Sequence, residues 1–181
     1  YIESGAEISN LDEIISKTDL LLVIELPSKD ILSKVKNELN LIGLLNPFDN
    51  QDSFEYFKNK SISAFSMELV PRITRAQSMD VLSSQANLSG YRAVISATAL
   101  YSKSMAMMMT AAGTVAPAKV FVMGVGVAGL QAIATAKRLG AVVSATDVRR
   151  AAAEQCESLG ASFIMVDDEN DAEDESGYAK E

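Results

Sequence analysis

The sequence contains no histidine, no tryptophan and a single cysteine among its 181 residues. One cysteine excludes an internal disulfide framework, so a reducing compartment is the default expectation. Histidine is the side chain that enzymes use most often as a general acid or base. Its absence counts against chemistry in which a substrate proton must be moved, although lysine or aspartate can take that role.

Basic residues are also scarce, because 16 lysines and arginines stand against 24 acidic residues. The net charge of −8 and the pI of about 4.6 make nucleic acid and anionic membrane surfaces poor partners. The sequence starts without methionine, in what reads as the middle of a domain. We therefore expect a fragment of a longer protein.

Glycine is concentrated in residues 124–129, which follow a short β-rich apolar run with the spacing G-x-G-x-x-G. Gly124 is expected to make the turn, Gly126 to let the backbone approach a pyrophosphate, and Gly129 to let a helix pack against the strand. The amino end of that helix, residues 127–139, offers unpaired N–H groups to a diphosphate. The motif predicts a dinucleotide site.

A second strand, residues 141–146, ends at Asp147, close to the offset of roughly 20 residues for an acid that binds an adenosine ribose. The competing interpretation, a membrane span over residues 120–136, fails because the run is rich in glycine and shorter than the usual ~20 residues. The carboxylate of Asp147 favours NAD because it repels a 2′-phosphate, whereas Arg149 and Arg150 could hold that phosphate.

Residues 1–112 alternate apolar runs with helical segments, which is typical of a parallel α/β domain. The predicted strands are residues 20–26, 41–45 and 61–65, and the predicted helices between them are residues 29–39 and 53–59. A longer helix over about residues 76–101 could span between domains. We predict an α/β fold with two Rossmann-like domains, both truncated: a partial first domain, and the first half of an NAD-binding domain over residues 113–181.

Polar side chains gather where the long helix is expected to begin. Gln77, Asp80 and Ser84 share one helical face, and Arg72 and Arg75 precede them. This brings a cation, an amide and a carboxylate together. On spacing alone, a capped helix with a solvated polar face and two surface arginines is the simpler interpretation.

Methionines cluster between the long helix and the glycine motif, at positions 105, 107, 108 and 109. Methionine fills irregular gaps in protein interiors, so we expect these side chains to pack in the core at a junction. The small residues at positions 110–114 are expected to form a hinge into the second domain.

Three stretches carry a family resemblance: MELVPRITRAQSMDVLSSQANLSGYRAV (67–94), MTAAGTVAPAKVFVMGVGVAGLQAIATAKRLGAVVSATDVR (109–149) and SGYAKE (176–181). They closely resemble the alpha subunit of the proton-translocating NAD(P) transhydrogenases. The arginine-rich loop with its glutamine and aspartate separates this family from alanine dehydrogenase. That relative shares the two-domain fold, but its active site uses a histidine.

The resemblance implies an NAD(H)-binding component that exchanges a hydride with NADP(H) held on a partner domain or beta subunit. It also implies a homodimer and coupling to proton movement through a membrane domain, with this chain peripheral on the cytoplasmic or matrix side of the inner membrane. Direct transfer between two nicotinamide rings moves no substrate proton, so it requires positioning rather than a general acid or base. The missing histidine agrees with that chemistry.

The resemblance also carries site residues over by position. They fall into groups at the nicotinamide end (Arg72, Gln77, Asp80, Ser83), the pyrophosphate (Gly124, Gly126, Val127, Ala128, Gly129), the adenosine ribose (Asp147, Val148, Arg149) and the start of a mobile loop (Gly177, Tyr178). Arg72 and Gln77 are expected to hold nucleotide and loop, and Asp80 to orient the carboxamide or Gln77. No metal is expected.

Two other classes stay open at this point. The first is an amino-acid oxidoreductase of the alanine dehydrogenase type, which would need a histidine or lysine near the nicotinamide. The second is a truncated NAD-binding module without catalytic activity.

Overall fold

The computed structural model describes residues 1–165. The chain divides into two compact units, of which the first is Tyr1–Val81 and the second begins at Leu82. The sequence prediction divides the chain after residue 112 instead. The structure thus groups the long helix and the methionine-rich segment with the glycine motif rather than with the first sheet.

The first unit is built on a three-stranded parallel sheet. Its elements in chain order are α1 (Leu11–Lys17), β1 (Leu20–Glu25), α2 (Lys29–Lys34), β2 (Asn40–Leu44), α3 (Asp52–Asn59) and β3 (Ser63–Ser66). The strands lie in the order β1-β2-β3. Helix α2 is shorter than the predicted 29–39. The chain leaves the helix at Val35 in order to bury Val35 and Leu39, with Glu38 in the left-handed region between them.

The core of the first unit lies on one face of its sheet. Leu41 and Leu45 are buried there together with Ile15, Leu32 and Phe57 from the helices. The side chains that alternate with this set on the other face are exposed, among them Leu22, Ile24 and Phe65. Period-two alternation in the strands therefore separates a covered face from an open one in the part of the chain described.

The second unit contains another three-stranded parallel sheet. Its elements are α4 (Val81–Leu100), β4 (Met108–Thr110), β5 (Gly113–Val115), β6 (Lys119–Met123), α5 (Val127–Arg138), β7 (Val142–Thr146), α6 (Ala152–Ser158) and β8 (Ser162–Phe163). The parallel strands lie in the order β6-β7-β8. The predicted α/β class with parallel sheets is confirmed in both units.

Two details of the second half differ from the sequence prediction. The predicted helix over 76–101 is α-helical only from Val81, because Thr74–Met79 is a 3₁₀ turn and Asp80 leaves helical geometry. The predicted hinge at 110–114 is instead the turn region of an antiparallel hairpin formed by β4 and β5.

The prediction that the methionines pack in the core is wrong for three of the four. Met105 packs against the core of the second unit. Met107, Met108 and Met109 are exposed, because they belong to or adjoin the hairpin rather than a buried helix.

Helix α4 packs closely against the start of α5. An added Cβ at Gly90 would overlap the carbonyl oxygen of Ala128. Nearby, the side-chain amide of Asn87 donates to Oε1 of Gln131 over 3.3 Å. Contact at this depth is available only to a residue without a side chain, so Gly90 sets how closely the two helices approach.

The substitution Gly90→Ala tests this contact. Replacing a mid-helix glycine with alanine ordinarily stabilises a helix by about 1 kcal/mol. Here we expect the opposite sign, a loss of about 2 kcal/mol in the free energy of unfolding, because the added methyl group overpacks the junction. Urea unfolding measures the change. Ser89→Ala, one residue earlier and exposed, is the control and should be neutral or mildly stabilising. A stabilised Gly90→Ala protein would contradict the contact.

Candidate functional site

The glycine loop between β6 and α5 is shaped by Gly124 and Gly129. Gly124 has a φ of 92°, in the left-handed region that glycine adopts without penalty. Its N–H donates to the carbonyl of Thr146 over 2.8 Å, which fixes the loop to the end of β7. An added Cβ at Gly129 would overlap the carbonyl oxygen of Gly124. These are the turn and close-packing roles that the motif predicts.

Gly126 has a different reason to be glycine. Its φ is −80°, a value that any residue can adopt, and no atom lies within 4 Å of the position a Cβ would take. The missing side chain therefore preserves open space beside the first turn of α5. The first N–H groups of an α-helix have no partner within the helix and carry partial positive charge. A pyrophosphate fits this cradle, with Val127, Ala128 and Gly129 as the donors.

Asp147 lies at the tip of β7 and is tied to the glycine loop. Its Oδ2 accepts the N–H of Val125 over 2.6 Å and Nη2 of Arg149 over 3.1 Å. Its Oδ1 accepts the N–H and the Nε of Arg149, both over 2.9 Å. The carboxylate thus joins the loop after β6 to the loop after β7.

Electrostatics keep this carboxylate charged. Burial by itself would raise the pKa of Asp147, but the hydrogen bonds from the side chain and backbone of Arg149 and from the backbone of Val125 outweigh it. They lower the pKa to about 2 from the ordinary 3.8. Asp147 is therefore an anion at neutral pH and able to accept hydrogen bonds only.

The residues predicted for the nicotinamide end lie in one segment. Arg72 precedes the 3₁₀ turn, Gln77 lies within it and is exposed, and Asp80 follows it directly. Ser83 is in the first turn of α4. Arg72, Asp80 and Ser83 are each engaged in a non-covalent interaction. Because the α-helix starts only after Asp80, the helical face inferred for Gln77, Asp80 and Ser84 does not form.

The remaining predicted residues divide between the two parts of the chain. Val148 is exposed beside Asp147. Gly177 and Tyr178, predicted to begin a mobile loop, lie outside the described residues. Within residues 1–165, the acidic and cysteine side chains form no group placed to hold a metal ion. No helix in that range is both long enough and apolar enough to cross a membrane.

Two contributors to the site were not predicted. The first is the backbone N–H of Val125, which binds the Asp147 carboxylate and has no signature in side-chain chemistry. The second is Gly90, whose contact with Ala128 fixes the start of α5. A lone glycine inside a helical pattern is the signal that pointed to it.

Two family models together account for nearly the whole chain. The N-terminal domain of alanine dehydrogenase/PNT matches residues 1–89, and the C-terminal domain of alanine dehydrogenase/PNT matches residues 93–179. The chain belongs to the alanine dehydrogenase/PNT family.

Among the relatives in this family are proteins named as the first of the parts that make up an NAD(P) transhydrogenase alpha subunit. The one from Rickettsia prowazekii is 50% identical over 187 residues, which is 100% of this chain and 49% of the relative. The one from Rhodospirillum rubrum is 52% identical and aligns with 98% of this chain and 48% of its own length. This chain therefore spans about half the length of the curated relatives it matches.

Solved structures agree with the family assignment. A transhydrogenase from Sinorhizobium meliloti is 53% identical, with a TM-score of 0.88 over 93% of this chain and 49% of that protein. An L-alanine dehydrogenase has a TM-score of 0.74 over 92% of this chain and 47% of its own, at 17% identity. The second likeness shows the fold alone.

The low pKa of Asp147 predicts a pH-dependent contribution to stability. The folded-state pKa lies below the unfolded one, so the contribution is complete above about pH 4 and is lost as the pH falls through about 2. Asp147→Asn should lower the free energy of unfolding by about 1 to 2 kcal/mol at pH 7. Urea unfolding of both proteins at pH 7 and pH 2 gives the two differences.

The exposed Asp30 supplies the control. Asp30→Asn should change the free energy of unfolding by no more than about 0.5 kcal/mol. A difference between Asp147→Asn and the unaltered protein that is equally large at pH 2 would show that the ionised carboxylate is not the source of the stability.

Proposed function

We propose that this chain is the NAD(H)-binding part of a proton-translocating transhydrogenase, which transfers a hydride between NAD(H) and NADP(H) bound on a partner domain. One observation carries the proposal: the open glycine cradle at the start of α5 is joined through Val125 to an anionic Asp147 at the tip of the next strand. The naming of similar proteins as transhydrogenase alpha subunits supports the specific activity.

The residues divide the nucleotide among them. The cradle from Gly124 to Gly129 would hold the pyrophosphate by backbone N–H groups and the helix dipole. Asp147, Val148 and Arg149 would hold the adenosine ribose. The nicotinamide end falls to a set in the first unit and the start of α4 (Arg72, Gln77, Asp80, Ser83), with Gly177 and Tyr178 opening the loop that covers it.

The chemistry asked of the protein is positioning. NAD(H) supplies the hydride-carrying ring when it is bound. Arg72 and Gln77 would fix that ring and the covering loop, and Asp80 would orient the carboxamide or Gln77. None of these side chains has to exchange a proton with a substrate, which is consistent with a chain that has no histidine.

The remaining parts of the proposal concern assembly. The chain would act as a homodimer, peripheral on the cytoplasmic or matrix side of the inner membrane. Its partners would be an NADP(H)-binding domain or beta subunit and a separate membrane domain, and activity would require them. The subunit names of the relatives support an assembly of several chains. An amino-acid dehydrogenase is less consistent with the sequence, because the histidine of that chemistry is missing.

Gly126→Ala separates binding from folding. The added methyl group meets no protein atom, so stability should stay within about 0.5 kcal/mol of the unaltered protein. The same methyl group occupies the space for a pyrophosphate, so the Kd for NADH should rise at least about tenfold. Fluorescence titration with NADH, and with NADPH for comparison, measures this.

Ser102→Thr adds one methyl group at an exposed position of the same unit and is the matched control. It should bind NADH as the unaltered chain does, and both should prefer NADH to NADPH. Undiminished NADH binding by Gly126→Ala would rule out the cradle as the pyrophosphate site.

Direct hydride transfer is tested by the fate of a label. The chain is combined with the NADP(H)-binding partner domain, NADP⁺ and NADH that carries deuterium at the transferring position of C4. We expect the deuterium in NADPH, without loss to the solvent, because no side chain takes it up as a proton. Mass spectrometry of the product reads this out. Loss of the label to water, or oxidation of NADH by a keto acid and ammonia without the partner, would exclude the proposed reaction.

A further inference from the structure

We propose that Arg149 competes with the ribose for Asp147, so that a nucleotide binds by exchanging the arginine side chain for the ribose hydroxyls. Arg149 would then set the affinity of the site rather than simply add a contact to it. This inference rests on the proposed function, because it assumes that a ribose binds at Asp147.

The acceptor capacity of the carboxylate is the first step. An ionised carboxylate offers about four lone-pair positions, and it can accept a bidentate arginine. Two positions of Asp147 are taken by backbone N–H groups, those of Val125 and Arg149. The other two are taken by Nε and Nη2 of the Arg149 side chain, one on each oxygen. No position is left for a further donor.

The number and type of donors make the exchange balanced. A ribose with free 2′ and 3′ hydroxyls can present two donors, and the guanidinium of Arg149 presents two. Removing the guanidinium frees one position on each oxygen of Asp147. The two backbone donors remain, so the Val125 contact that holds the glycine loop survives the exchange.

Burial shows which partner is able to move. The side chain of Asp147 is 6% exposed and that of Arg149 is 21% exposed. Asp147 is also anchored at a strand tip by two backbone hydrogen bonds. Arg149 reaches solvent through its long side chain, whereas the carboxylate cannot turn away without giving up both backbone donors. The guanidinium is therefore the group that a ligand displaces.

The variant Arg149→Met tests the exchange. Methionine keeps most of the aliphatic stem and the backbone N–H but has no donor, so the ribose meets an unoccupied carboxylate. We expect the Kd for ADP to fall roughly tenfold, since a partly buried bidentate pair no longer has to be broken. Isothermal titration calorimetry with ADP and with 2′,3′-dideoxy-ADP, which lacks both hydroxyls, gives the comparison. The gain should appear for ADP alone.

Arg150→Met is the matched control. It makes the same change of charge one residue further on, at an exposed side chain. It should leave the ratio of the two affinities unchanged. A second readout needs no ligand: the pKa of Asp147, followed by carbon NMR of its carboxyl group, should rise in Arg149→Met and stay low in Arg150→Met.

The outcomes separate the inference from the proposed function. ADP binding that is unchanged or weaker in Arg149→Met, or an equal gain for both ligands, overturns the competition while leaving nucleotide binding intact. If neither the unaltered chain nor any variant binds ADP or NADH, the proposed function and this inference both fail. A selective gain for ADP, absent in Arg150→Met, supports it.

Discussion

The hydrogen bond from the Val125 backbone to Asp147 connects two loops that the chain makes 22 residues apart. Parallel pairing of β6 with β7 brings their carboxyl ends to one edge, and Gly124 is bonded to the last residue of β7 just beside this point. Strand pairing alone would leave the glycine loop free to choose among turn conformations. A charged acceptor at the neighbouring strand tip selects the one in which the amino end of α5 faces open space.

Close packing on two sides fixes α5 itself. Gly129 presses the helix against the carbonyl of Gly124, and Gly90 of α4 presses against the carbonyl of Ala128 one residue earlier in α5. Both contacts are made by backbone atoms, which cannot adjust as side chains do. The first turn of α5 is therefore positioned by two glycines and a carboxylate. Gly126 stands among them with a different task, since its missing side chain keeps the ligand's space empty.

The sequence predicted the parts of this site that depend on local order along the chain. Strand, glycine turn, helix, strand and acid follow one another within about thirty residues, and each has its own physical signal. It did not predict the hairpin of β4 and β5, because three-residue strands carry little periodicity. The exposed methionines were misjudged for the same reason, since apolar character was assumed to mean burial. The start of α4 was misplaced because a 3₁₀ turn has nearly the period of an α-helix.

Cofactor choice shows why composition near a strand tip is ambiguous without geometry. An acid at position 147 favours a ribose with a free hydroxyl, and an arginine two residues later favours a phosphate. In the structure these opposing signals are one unit, because Arg149 is held by the carboxylate that would repel the phosphate. An arginine paired in this way neutralises its neighbour until a ligand with two donors replaces it. The pair therefore discriminates by hydrogen-bonding capacity as well as by charge, and neither residue would reveal this alone.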